Sequence, residues 1–140
     1  ETIFPSFYGE QLIDFLNNIN VLICTVPLTP KTRGLLCTKL FKKLPNPTYL
    51  INVSRGAVHV ENDIIKAIEE GKLTGAFLDV FEKEPLPKDS PLWQNSKIKI
   101  TPHIASLTYA KESIRQALDN FQRVKNGGKP LNEVSRDNMY

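Results

Sequence analysis

A chain of 140 residues, 41% hydrophobic and 24% charged, is long enough for one domain with its own buried core. Its net charge of +3 is small and its Lys and Arg are spread along the chain, so neither nucleic acid nor an anionic membrane is called for as a partner. No apolar run approaches the roughly 18–20 residues that cross a bilayer.

Leu12, Phe15, Leu16 and Ile19 recur at helical spacing, so residues 10–19 read as an amphipathic helix. Residues 21–26 (V-L-I-C-T-V) form a continuous apolar, β-branched run. Such a run suits a parallel strand covered on both faces. Pro27 ends it, and V-P-L-T-P-K-T reads as a loop at a strand end. Thr38 is placed to cap a short helix running to Leu44, which P-N-P-T then breaks. Residues 49–53 read as a second buried strand, followed by the turn S-R-G-A. Residues 61–70 predict a helix with Ile64, Ile65 and Ile68 inward and Gly71 as its stop. Residues 75–80 make a third strand. A loop with three prolines covers 82–92, and residues 97–101 alternate like a strand with one wetter face. The longest helix is expected over 108–126, with Ile114, Ala117, Leu118, Phe121 and Val124 on one side. Gly127 and Gly128 end it.

The order α-β-α-β-α-β-β-α implies an α/β fold, a doubly wound parallel sheet with helices on both faces. In such sheets ligands bind beyond the carboxyl ends of the strands. The loops there begin at Pro27, Ser54, Phe81 and Pro102. Each carries or adjoins a polar candidate: Thr25 and Thr32, Arg55, Asp79 with Glu84, and His103. Four separate segments are thus expected to meet at one edge of the sheet.

His103 follows a strand directly, and an imidazole exchanges protons near neutral pH. Taken alone, a loop histidine is more often a surface group than a proton donor. Glu84 stands in E-K-E-P, and a carboxylate beside an imidazole favours the protonated ring. Glu82 serves as an internal control, expected to face solvent. Arg55, in a tight turn before Gly56, offers a planar fork to a carboxylate, or it pairs with the protein's own acids. Asp79 ends an apolar strand, where a carboxylate is costly unless hydrogen-bonded. It holds a ligand amide or caps a neighbouring backbone; the residues favour neither. His59 is given a structural role. Two histidines without ligand spacing argue against a metal site, and no G-x-S-x-G supplies a nucleophilic serine. Cys24 and Cys37 form no C-x-x-C pair, which with an apolar setting for Cys24 points to the reduced cytoplasm.

N-V-S-R-G, then L-D-V-F-x-x-E-P-L-P, then T-P-H-I-A together resemble the NAD(P)-dependent D-2-hydroxyacid dehydrogenases, over about residues 9–126. R-G-A-V-H-V departs from the commoner R-G-x-x-V-D of that family. With E-P-L-P-K-D-S-P-L-W it is similar to the glyoxylate/hydroxypyruvate reductase A branch. The resemblance implies an oxidoreductase that reduces glyoxylate or hydroxypyruvate to the 2-hydroxy acid. It implies Arg55 as the binder of substrate carboxylate and carbonyl, His103 as acid/base, and Glu84 as the group that tunes and orients it. Asp79 would hold the nicotinamide carboxamide. Thr25, Val26, Pro27 and Thr32 would line the adenosine and ribose side, while Val53, Ser54 and Ala105 would touch the nicotinamide end beside Arg55 and His103. NADP or NAD is the implied cofactor, with NADPH preferred on the branch resemblance. The implied partners are a small 2-keto acid and a second copy of the full-length chain as a homodimer, with no nucleic acid and no membrane. An alternative of another class is a non-catalytic, dinucleotide-sensing binding module on the same fold.

The family's G-x-G-x-x-G phosphate turn is nowhere in this sequence. The chain begins with Glu1 rather than Met. The expectation is therefore the second half of a Rossmann-like cofactor domain over residues 1–110. Residues 111–140 would be a long helix and tail returning toward a substrate domain. Such a fragment is expected to be inactive alone.

Overall fold

The computed structural model describes residues 5–45 and 47–136. They fall into two compact units, Glu1–His103 and Ile104–Tyr140. The first unit holds helix α1 (Leu12–Asn17), strand β1 (Val21–Cys24), helix α2 (Thr38–Phe41), strand β2 (Thr48–Asn52), helix α3 (Glu61–Glu69), strand β3 (Leu73–Leu78) and strand β4 (Ile98–Ile100). Short 3-10 turns lie at Gly56–Val58 and Pro91–Gln94. The second unit contains helix α4 (Ala110–Lys125), which buries no residue of its own. The element order matches the one read from the sequence. No helix among the described residues is long and apolar enough to cross a membrane.

The four strands form one parallel sheet in the order β1-β2-β3-β4. Register puts Leu22, Leu50, Ala76 and Ile98 in one row across the sheet, and Cys24, Asn52, Leu78 and Ile100 in the next. These rows share a face, because successive side chains on a strand alternate. All but Ile100 are buried, and that face meets Leu40, Phe41 and Leu44 near α2 and Ile64, Ala67 and Ile68 of α3 in the core. Helices α2 and α3 touch each other, as successive right-handed crossovers in one direction require. Full burial of each such aliphatic side chain stabilises by about 1.5–3 kcal/mol.

Four expectations need correction. The first strand is not covered on both faces: it stops at Cys24, and Val21 and Ile23 are 47% and 59% exposed. Among the described residues the apolar run thus marks two strand faces, of which one is packed. Thr38 does not cap α2. It is already the first helical residue, and its backbone N–H donates to Asp63 Oδ2 at 2.7 Å. A carboxylate from α3 thus takes the capping role, a stronger acceptor than a hydroxyl. The helix also ends at Phe41, short of Leu44. Helix α3 runs as expected, except that Ala67 is buried where Ile65 is only partly so.

The turn after β2 is fixed by a close approach. A Cβ on Gly56 would lie 1.8 Å from the backbone oxygen of Phe81 and 1.9 Å from its carbonyl carbon. Only glycine lets the Arg55 turn press against the chain leaving β3. Gly56→Ala is expected to destabilise the protein by the upper part of the roughly 1–3 kcal/mol that overpacking costs. The shift of the urea midpoint measures it, and a wild-type midpoint contradicts it.

Candidate active site

The carboxyl ends of β2, β3 and β4 lie side by side, and the residues beyond them make the site. His103 and Glu84 come together directly: His103 Nδ1 lies 2.8 Å from Glu84 Oε2. Each partner is held from behind. Glu84 Oε1 accepts the backbone N–H of Phe81 at 3.0 Å. The backbone N–H of His103 donates to Asp79 O at 2.7 Å. That bond is made with His103 at φ 55°, in the left-handed region. A residue there without a glycine's freedom costs about 1–3 kcal/mol, which the surrounding bonds must offset. Ring and carboxylate are partly open to solvent, and with Nδ1 engaged by Glu84 the second ring nitrogen, Nε2, is left for a ligand.

Partial burial works against the charged form of Glu84. The hydrogen bond with His103, the Phe81 N–H and the His103 charge outweigh it and hold the carboxyl below its ordinary range. Its folded pKa is depressed, so the stability it contributes is present above the ordinary carboxylate range and is lost as pH falls through the lower folded value. Glu84 is therefore charged across neutral pH.

Arg55 is exposed, and among the described residues its guanidinium bonds only to the neighbouring Ser54 carbonyl oxygen, at 2.7 Å. Among the described residues it forms no ion pair, so the protein's own acids do not claim it. Asp79 is buried, and Thr101 Oγ1 donates to its Oδ1. Glu82 faces solvent, as the control required. Beside His103 and Glu84 opens an apolar cavity of about 360 Å³, walled by Phe81, Leu86, Trp93, Ile100 and Pro102. Its size lies within the usual range for small-ligand pockets.

The remaining candidates are placed less simply. Thr25 and Pro27 are exposed after β1, and Val26 is half-buried. The Thr32 hydroxyl is committed to its own loop, donating to Pro27 O at 2.6 Å and accepting the Thr29 N–H at 2.8 Å. The Ser54 side chain turns inward, toward Asn52 Oδ1 at 2.8 Å and Cys24 Sγ at 3.4 Å. Val53 is half-buried, and Ala105 is exposed and belongs to the second unit. No cluster of three or more His, Cys, Asp or Glu among the described residues could hold a metal ion.

A buried polar network behind the Arg55 turn was not read from the sequence. Asn52 is fully buried, and its Nδ2 lies 2.7 Å from His59 Nδ1. The available signal was a polar residue ending an apolar strand, the argument already applied to Asp79. Burial lowers the His59 pKa from 6.5 to about 4. Between those values the unfolded chain binds a proton that the folded chain does not, so stability falls as pH falls from 6.5 toward 4. The expected loss is about 2 kcal/mol between pH 7 and pH 5. Urea titrations at both values measure it, and His59→Leu is expected to remove that part of the pH dependence.

The fold is that of a nucleotide-binding α/β domain. The chain belongs to the D-isomer specific 2-hydroxyacid dehydrogenase family, whose NAD-binding domain matches residues 5–105. A probable 2-hydroxyacid dehydrogenase from Rhizobium etli, solved with NADP, HEPES and L(+)-tartaric acid, is 36% identical with a TM-score of 0.90, over 100% of this chain and 46% of its own. The NADPH-dependent glyoxylate/hydroxypyruvate reductase of Sinorhizobium meliloti, solved with NADP and sulfate, is 32% identical with a TM-score of 0.89, over 96% of this chain and 44% of its own. A D-isomer specific 2-hydroxyacid dehydrogenase family protein from Klebsiella pneumoniae is 45% identical with a TM-score of 0.84, over 94% and 42%. The chain thus spans about half the length of these relatives.

The residues present fit one end of a dinucleotide. A guanidinium in no ion pair among the described residues, an imidazole held by Glu84 and a buried carboxylate stand at adjacent strand ends, polar groups of the kind that hold a nicotinamide amide and its ribose. The glycine-rich turn that cradles the phosphates is not in this sequence.

Proposed function

We propose that the full-length protein reduces glyoxylate or hydroxypyruvate to the 2-hydroxy acid with NADPH. The observation that carries this reading is the 2.8 Å contact between His103 and Glu84, set beside the Arg55 turn at the strand ends. When bound, the reduced nicotinamide supplies the hydride. Arg55 would hold the carboxylate and the ketone oxygen of the substrate and fix the angle of its carbonyl carbon. His103 would give the Nε2 proton to that oxygen as it becomes an alkoxide, so the product gains one hydride on carbon and one proton on oxygen. Glu84 keeps the ring oriented through Nδ1 and stabilises the imidazolium from which the proton leaves.

On the cofactor, Asp79 would meet the nicotinamide carboxamide, with Val53, Ser54 and Ala105 nearby. Thr25, Val26, Pro27 and Thr32 would line the adenosine side, the last shaping the loop through its bonds within it. NADPH over NADH is supported by the bound NADP in the Rhizobium and Sinorhizobium proteins. We take residues 1–110 as the second half of the cofactor domain and 111–140 as the helix and tail returning to a substrate domain. The active form would be a cytoplasmic homodimer, and the 140 residues by themselves would be inactive for want of a phosphate cradle. The test is NADPH oxidation by purified full-length protein with glyoxylate, hydroxypyruvate and a panel of other small 2-keto acids. Turnover with the first two supports the reading, and no turnover with any of them defeats it.

A further inference from the structure

We propose that His59 is a positioning residue for Arg55, acting through Asn52; the inference rests on the reading of Arg55 as the substrate binder. The geometry fixes each bond in the relay. The backbone N–H of Ser54 can only donate, and it lies 3.0 Å from an Asn52 side-chain atom, which is therefore Oδ1. The Ser54 hydroxyl donates to the same oxygen at 2.8 Å. Asn52 Nδ2 is then the atom facing His59 Nδ1 at 2.7 Å and the Arg55 carbonyl oxygen at 3.3 Å. An amide nitrogen has only hydrogens to offer. His59 Nδ1 must accept, so the ring is neutral and carries its proton on Nε2.

That proton has nowhere to go. His59 is 2% exposed, and its Nε2 has no hydrogen-bond partner among the described residues. A buried orphan donor costs about 1–3 kcal/mol, and an aliphatic side chain in the same slot would avoid it. Among the described residues the ring's one bond is the one to Asn52. What that bond secures is the Asn52 amide, whose two ends hold Ser54 and the Arg55 carbonyl. The backbone of His59 is itself anchored: its N–H donates to Gly56 O at 3.0 Å, and a parallel bridge pairs it with Leu36. The turn is thus closed from inside by Asn52 and His59, and from outside by the contact of Gly56 with Phe81.

The test is steady-state kinetics of the full-length protein with glyoxylate and NADPH. His59→Leu removes the acceptor and is expected to raise the KM for glyoxylate about tenfold, while kcat and the KM for NADPH stay within about threefold. His59→Gln places a carbonyl oxygen near the lost nitrogen and is expected to return the glyoxylate KM to within about threefold of wild type. His59→Ala is the second acceptor-free variant and carries the same expectation as leucine. A glyoxylate KM unchanged in a folded leucine or alanine variant overturns the inference. So do glyoxylate and NADPH KM values that rise together, and so does failure of both variants to fold, since each marks a purely structural histidine. Arg55→Met run alongside separates the two claims. If it leaves glyoxylate kinetics intact, the substrate role of Arg55 fails; if it abolishes them while His59→Leu does not disturb them, only the positioning role fails.

Discussion

Asparagine in place of His103 is expected to lower kcat for 2-keto acid reduction by about 10²–10⁴-fold, the usual worth of a positioned acid. Asparagine is chosen because it tolerates the left-handed backbone that His103 adopts at φ 55°. The fold should therefore survive, and the loss should report the missing proton. No nearby group replaces it. Glu84 is a carboxylate, charged at neutral pH as carboxylates ordinarily are, and His59 is buried and neutral, so neither offers a proton there. The KM for NADPH should change little. Stopped-flow or steady-state kinetics check this, and a kcat within about threefold of wild type contradicts it.

The second large effect is expected at Arg55. Arg55→Met removes a fork that would make two charge-assisted hydrogen bonds to the substrate, each worth about 1.5–3 kcal/mol. At 1.4 kcal/mol per tenfold, kcat/KM should fall by about 10²–10⁴-fold. Lysine should recover only part, since a point charge does not reproduce bidentate geometry. Stability should stay within about 0.5 kcal/mol, because Arg55 is exposed and leaves no buried acid unpaired. A kcat/KM loss that follows the fraction of unfolded protein would contradict this account. Thermal denaturation beside the kinetics separates the two.

Much of the first unit was legible because parallel α/β chains write their order plainly. Apolar runs alternate with amphipathic stretches, and proline and glycine mark the ends. Residues 61–70 and Gly71 are a clear case, with Gly71 at φ 73° closing the helix. What failed was anything that depends on a distant partner. An apolar run does not say whether both faces find cover, so Val21 and Ile23 were misjudged. Thr38 resembles a cap in isolation, yet an aspartate 25 residues away supplies the acceptor. Sequence placed Glu84 and His103 on loops at one sheet edge, and their direct contact is a tertiary fact. The inward turn of Ser54 and the Asn52–His59 bond were invisible for the same reason, although a buried asparagine at a strand end asks for partners. Trp93 and Phe81, which wall the cavity, look like ordinary apolar residues until the loop carrying Glu84 folds back over β4.

The central claim is that Arg55, Glu84 and His103 form a site for hydride addition to a keto acid with His103 as the proton source. The most direct measurement uses NADPH deuterated on the transferable C4 position, glyoxylate, and full-length protein with and without His103→Asn. The account predicts glycolate carrying one deuterium on its carbinol carbon, formed about 10²–10⁴-fold more slowly by the variant at unchanged NADPH affinity. Unlabelled product, or label transferred at equal rates by both proteins, would contradict it.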